Sequence, residues 1–307
     1  MQLTVSRNRL FFFCLTFTVQ LFIIILYEFD ILSKFMGYSD WDFYKQVLLF
    51  GRNENGFVGI LNSFHNVFSN YSLYVWYFIE IFLNSFLLSA LLSRIQYQKQ
   101  YFLLFAFLNP FFILFYTGIY KEAFLLDIVI FAAIYKSLIF KVFSIFNFGI
   151  IRAQLFPFIV FLYTKFNLFI YFVFALISLY IINTFHLIDF NFISGSIKEI
   201  QGIDKNDFPI EILSKFSIIT LIKNLIIILF GYIFINSIPL KIMYFFSVSF
   251  YLYFYLKNKL YKLLFSFLLG LLPYSLILTN AGTALRIITF LFIATIVFHF
   301  IPKSQKI

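Results

Sequence analysis

Cysteine is almost missing from this chain. Cys14 stands alone among 307 residues, inside the first apolar run, so neither a disulfide framework nor a Cys-based metal site is available. Histidine is nearly as scarce: His65, His186 and His299 lie far apart, none with a ligand-like neighbour at helical spacing, which argues against a zinc or redox centre. Charge is the third shortage, at 12% of residues. Set against 63% apolar residues and a mean hydropathy of +0.96, it excludes an ordinary soluble domain. No internal repeat is evident, which counts against the inverted-repeat transporters. No cofactor and no bound metal are expected.

What is present is a succession of apolar runs. They cover residues 10–27, 71–93, 101–120, 123–140, 142–164, 166–185, 216–236, 240–256, 263–279 and 284–301. At about 20 residues per bilayer crossing, they predict an all-α, polytopic membrane bundle of about ten transmembrane helices, a single domain over residues 1–307. The 51 Phe read mostly as lipid-facing filler rather than as a stacking platform. The net charge of +10 does not indicate nucleic acid, because the basic residues come singly or in short groups at run ends (Arg7 and Arg9, Arg94 and Lys99, Lys257 to Lys262, Lys303 and Lys306). That is positive-inside anchoring against an anionic leaflet. The first run is too long for a typical signal peptide and has no small-x-small site after it. It reads as an uncleaved span with a cytoplasmic N-terminus.

Ten of the thirteen acids fall in two polar segments, 28–70 and 186–215. The first is expected on the extracytoplasmic side. The second is cytoplasmic if 142–164 is a single span, and extracytoplasmic if that stretch is a re-entrant hairpin with Arg152 at its tip; Lys and Arg counts leave both open. The remaining acids are Glu80, Glu122 and Asp127, and a carboxyl at membrane depth marks a pathway or a reaction site. Glu80 should be neutral or paired and face the bundle interior, with Asn84 one turn on along the same face. Lys121 and Glu122 lie at a turn between spans on the outer side, where Glu122 opens a helix and benefits from its dipole. Asn109–Pro110 predicts a kink.

On the outer face this topology gathers Asp40 and Asp42, Lys121 and Glu122, Arg286, and Arg152 at membrane depth. Carboxylates that can accept a proton from a sugar hydroxyl, beside cations that can neutralise a departing pyrophosphate, suit transfer from a lipid-linked donor. The same inventory suits a carrier of anionic lipid-linked sugars.

Four segments add a resemblance. NPFFILFYTGIYKEAFLLDI resembles the NP…KE-type segment of bacterial surface-polysaccharide membrane proteins, among them O-antigen polymerases and relatives of the GT-C glycosyltransferases. IIRAQLFPFIVFLY is similar to their arginine-bearing span, with Pro157 set further from the arginine than is usual there. NAGTALRIITF, with Asn280, Gly282, Thr283 and Arg286, resembles their N-x-G-T-x-x-R entry to the last span, and DWDFY, with Asp40, Asp42 and Tyr44, resembles the acidic first-loop element of GT-C enzymes. The chain is shorter than most such polymerases.

The resemblance implies a GT-C-like glycosyltransferase of the cell inner membrane, polymerising O-antigen or capsule repeat units at the outer face during lipopolysaccharide or capsule biosynthesis. It implies Asp40, Asp42 and Glu122 as catalytic groups, Lys121, Arg152 and Arg286 on the pyrophosphate, and Glu80, Asp127 and Asn280 in support. Its partners would be a polyprenyl-pyrophosphate-linked oligosaccharide, membrane lipids and a chain-length regulator, with no nucleic acid. The alternatives are a GT-C enzyme adding a single sugar from a polyprenyl-phosphate donor and a flippase or transporter of lipid-linked sugars.

Overall fold

A computed structural model describes residues 2–32, 40–52, 56–94, 110–135, 137–151, 155–164, 218–272 and 281–300. Arg152, Asn280, Lys136 and the whole of 186–215 lie outside these residues. The regular structure of the described residues is all helical, with no strand among them. Three helices among them are long and apolar enough to cross a membrane: Asn8–Glu28, Gly56–Ser93 and Ile238–Lys257. The chain forms two compact units, Met1–Ala153 with Ile296–Ile307, and Gln154–Thr295.

The first unit begins with α1 (Gln2–Glu28), which contains the first apolar run. Then come α2 (Asp40–Phe50) and α3 (Gly56–Phe68), inside the segment expected to be a polar loop. Their sequences explain why they are helices. Trp41, Tyr44, Val47 and Leu48 of α2 are all buried and fall on one helical face. Gly51 ends α2 in the left-handed region at φ 71°, a conformation that favours glycine.

A 3-10 turn at Ser69–Tyr71, with Ser69 at φ 48°, separates α3 from α4 (Ser72–Arg94). The 38-residue apolar stretch Gly56–Ser93 is therefore two rods. At ~1.5 Å per residue, the 23 residues of α4 alone exceed the ~30 Å hydrocarbon thickness of a bilayer.

Helix α4 shows the solvent it is built for. Its buried stripe is Leu73, Trp76, Tyr77, Glu80, Ile81, Asn84, Ser85 and Leu88, while Tyr74, Phe78, Ile79 and Phe82 face outward. Polar groups inside and large apolar groups outside reverse the pattern of a soluble helix. This stripe packs against α1, α2, α3, α5 (Pro110–Thr117) and α6 (Lys121–Tyr135).

Pro110 takes the first position of α5, where its missing N–H costs no helical bond. Helix α6 ends at Tyr135, short of the expected boundary at 140, and the residues from Leu138 belong to a separate helix, α7 (Leu138–Ile151). The Ser137 carbonyl accepts the Lys141 N–H at 3.2 Å, so Lys141 lies in the first turn of α7 rather than after a span.

In the second unit, α8 (Phe156–Thr164), α9 (Ile218–Phe230), α10 (Ile238–Lys257), α11 (Tyr261–Leu271) and the first fifteen residues of α12 (Ala281–Phe300) are described. Helix α12 is buried on all sides from Ala284 to Val297. Helix α10 packs on it by stacking Tyr251 on Phe292, centroids 3.9 Å apart, and by hydroxyl bonds from Tyr251 to Thr289 (3.1 Å) and between Tyr255 and Thr295. Gly270 of α11 passes so close to Leu291 that a Cβ there would lie 2.7 Å from its Cδ2.

Candidate functional site

Trp41 connects the acidic first-loop motif to the Lys–Glu turn. It is completely buried, stacked on Tyr27 at 3.8 Å with parallel rings, and meets Tyr77 and Tyr120 edge-on at 6.3 and 6.1 Å. Gly118 lets the chain before α6 approach the indole, since a Cβ there would be 2.7 Å from Trp41 Cε3. The helix that carries Asp42 is thus seated on the turn that leads into Lys121 and Glu122. A second aromatic path, Tyr44 to Phe57 to Phe124, joins α2 and α3 to the first turn of α6.

The polar groups around Trp41 form a chain of hydrogen bonds. Trp41 Nε1 donates to Tyr77 Oη at 2.9 Å, and Tyr77 Oη donates to Glu28 Oε1 at 2.9 Å. Glu28 also holds Lys45 through both carboxylate oxygens, at 2.7 and 2.9 Å. Tyr27 donates its hydroxyl to Asp42, and the Lys45 ammonium lies over the Tyr27 ring, 5.8 Å from its centroid. Asp42 is half-buried, and Asp40 takes the first position of α2. Glu122 is 3% exposed in the first turn of α6, with Lys121 half-buried before it.

Below this layer is a second polar group. Glu80 accepts a hydrogen bond from Trp76 Nε1 at 2.8 Å, one turn back on α4, and Asp127 accepts the hydroxyl of Tyr116. The two carboxyls stand within electrostatic reach of each other. Asn84 Nδ2 donates to the Tyr116 carbonyl at 2.7 Å and to Gln20 Oε1 at 3.2 Å, and Gln20 Nε2 donates to Ser85 at 3.2 Å. One polar seam therefore ties α1, α4, α5 and α6.

Within the first unit, the structure brings together the Asp40–Asp42 helix, the Lys121–Glu122 turn, and the Glu80–Asp127 pair. In the second unit Arg286 is 8% exposed and donates from Nη2 to Thr283 Oγ1 at 2.8 Å. The Thr and Arg of the N-x-G-T-x-x-R element thus act as a pair. Arg152 and Asn280 lie outside the described residues. No group of three or more His, Cys, Asp or Glu that could hold a metal occurs among the described residues.

Several members of this site escape sequence reasoning: Glu28, Lys45, Tyr27, Trp41, Tyr77, Trp76 and Tyr116. One signal was available. The chain has only two tryptophans among 51 Phe and 21 Tyr, and both indole N–H groups are used on polar partners in the site.

No family model matches the chain, and neither does any curated protein or solved structure.

Proposed function

We propose that the chain is a multi-pass, GT-C-like glycosyltransferase of the bacterial inner membrane, with about ten spans, that polymerises lipid-linked repeat units of O-antigen or capsule at the outer face. The observation that carries this reading is the seating of the Asp42 helix on the turn before Lys121 and Glu122. It puts proton-accepting carboxylates and a cation at one end of a bundle whose outward surface is apolar.

In this reading Asp40 or Asp42, with Glu122, accepts the proton of the acceptor hydroxyl. The hydroxyl oxygen bonds to the anomeric carbon of the growing chain as the bond from that carbon to the polyprenyl pyrophosphate breaks. Lys121 neutralises the pyrophosphate that leaves, the role that the sequence resemblance also gives to Arg152 and Arg286. The fixed Trp41, Tyr27 and Tyr77 hold Asp42 in place, which is what a reaction dependent on orientation requires. Membrane lipids surround the bundle, and a chain-length regulator is the expected protein partner.

A strain lacking the chain tests the reading through a gel of its surface polysaccharide. The proposal expects core carrying a single repeat unit. Full-length chains of altered composition would instead indicate a single-sugar transferase, and bare core a flippase.

A further inference from the structure

We propose that Glu80, Asp127 and Asn84 form a binding site for an exchangeable monovalent cation, H+ or Na+, inside the first unit. Glu80 and Asp127 are 8% and 5% exposed. They come from two packed helices and stand within electrostatic reach of each other. Two ionised carboxylates taken out of water in one interior need a cation, because each loses its hydration.

Among the described residues no side chain supplies that cation. The charged and titratable groups on the elements packed against α4 and α6 are each placed elsewhere or on other partners. Arg9 of α1 lies over the Phe86 ring, and Glu28 binds Lys45 of α2. Asp42 takes the Tyr27 hydroxyl, and His65 of α3 is on the Leu48 carbonyl. Lys121 and Glu122 open α6, and Lys141 is in the first turn of α7. Among the described residues none of these forms an ion pair with Glu80 or Asp127. Tyr116 of α5 touches the pair, and it donates a neutral hydroxyl.

Asn84 provides the independent sign of a ligand. It is fully buried, one turn beyond Glu80 on the same face of α4, and its Nδ2 donates to Tyr116 and Gln20. Its Oδ1 has no hydrogen-bond partner among the described residues. A buried acceptor left this way keeps the cost of its desolvation, and a cation relieves it. Tyr116 joins the two halves, since its carbonyl takes Asn84 and its hydroxyl takes Asp127. Trp76 and Tyr116 each occupy one oxygen of a carboxyl, Glu80 Oε2 and Asp127 Oδ1, which leaves the second oxygen of each carboxyl unused by these bonds. Hard oxygen ligands of this kind suit H+ or Na+ and not a soft metal. Carboxyls at this depth mark ion or proton paths.

The test is infrared spectroscopy of the carboxylic-acid C=O band, with the full chain reconstituted in vesicles. Wild type is compared with Glu80→Gln and Asp127→Asn, in acidic and alkaline buffers, with sodium or choline as the salt. The proposal expects a wild-type band that alkaline buffer removes and that is reduced in each variant. Loss of the band on adding sodium at constant pH assigns H+/Na+ exchange; a band moved by pH alone assigns a proton. A wild-type band that neither pH nor sodium moves overturns the site without reference to any variant. So does a response that both variants retain unchanged. No glycan enters the assay, so its failure and that of the proposed transfer reaction are distinguishable.

Discussion

Trp41 supports the site through three different interactions: a parallel stack on Tyr27, a hydrogen bond to Tyr77, and close contact with the Gly118 backbone. Trp41→Ala removes all three from a fully buried position and is expected to cost about 3–5 kcal/mol, read as a lower midpoint of unfolding of the purified protein. Trp41→Phe retains a ring but leaves Tyr77 Oη without its donor, and should cost about 1–3 kcal/mol. Gly118→Ala drives a Cβ into the Tyr120 ring and to 2.7 Å from Trp41. Overpacking of that kind is expected to destabilise by about 1–3 kcal/mol in the same measurement. The charged members of the site were legible in the sequence because acids and bases are scarce, and Asp42, Lys121 and Glu122 stand out against apolar surroundings. Trp41 and Tyr77 were not legible, because in a chain with 24% aromatic residues a ring that organises hydrogen bonds looks like one that faces lipid.

At the scale of elements, the largest departure from the sequence reading is the helical hairpin α2–α3. Its charged residues mark it as a polar loop by composition, yet the period of Trp41, Tyr44, Val47 and Leu48 was there to be read as a buried helical face. Gly51 between the two helices adopts a left-handed conformation, and a Cβ there would stand 2.9 Å from the His65 ring. Gly51→Ala is thus strained in backbone and in space. It should loosen the hairpin, measurable as faster amide exchange over α2 with α4 unchanged. The Glu28–Lys45 ion pair joining α1 to α2 is partly exposed, at 33% and 24% of the side chains. Lys45→Met is expected to change stability by about 0–1 kcal/mol and less at high salt. The runs that became α1, α4 and α10 were legible because length and hydropathy suffice for them. The break at Tyr135–Leu138 was less legible, because Lys136 and Ser137 are the only polar residues in a run that is otherwise apolar from Ile128 to Phe140.

For the whole molecule, three helices among the described residues are long and apolar enough to cross a membrane, and the outward faces of α1, α4 and α10 are apolar with polar groups turned inward. The topology proposed for the chain puts α3 outside and the turn after α10 inside. With Cys14 replaced by alanine, Ser63→Cys on exposed α3 should react with an impermeant maleimide in intact cells. Lys259→Cys, in the exposed turn after α10, should react only after permeabilisation.

The account depends most on Glu122 and Asp42 serving one reaction. The direct measurement is the ladder of surface polysaccharide from a strain lacking the chain and complemented with Glu122→Gln or Asp42→Asn, with the protein quantified in the membrane fraction. A single repeat unit on core is expected in both, at wild-type protein levels. Normal long-chain ladders from both variants would contradict it.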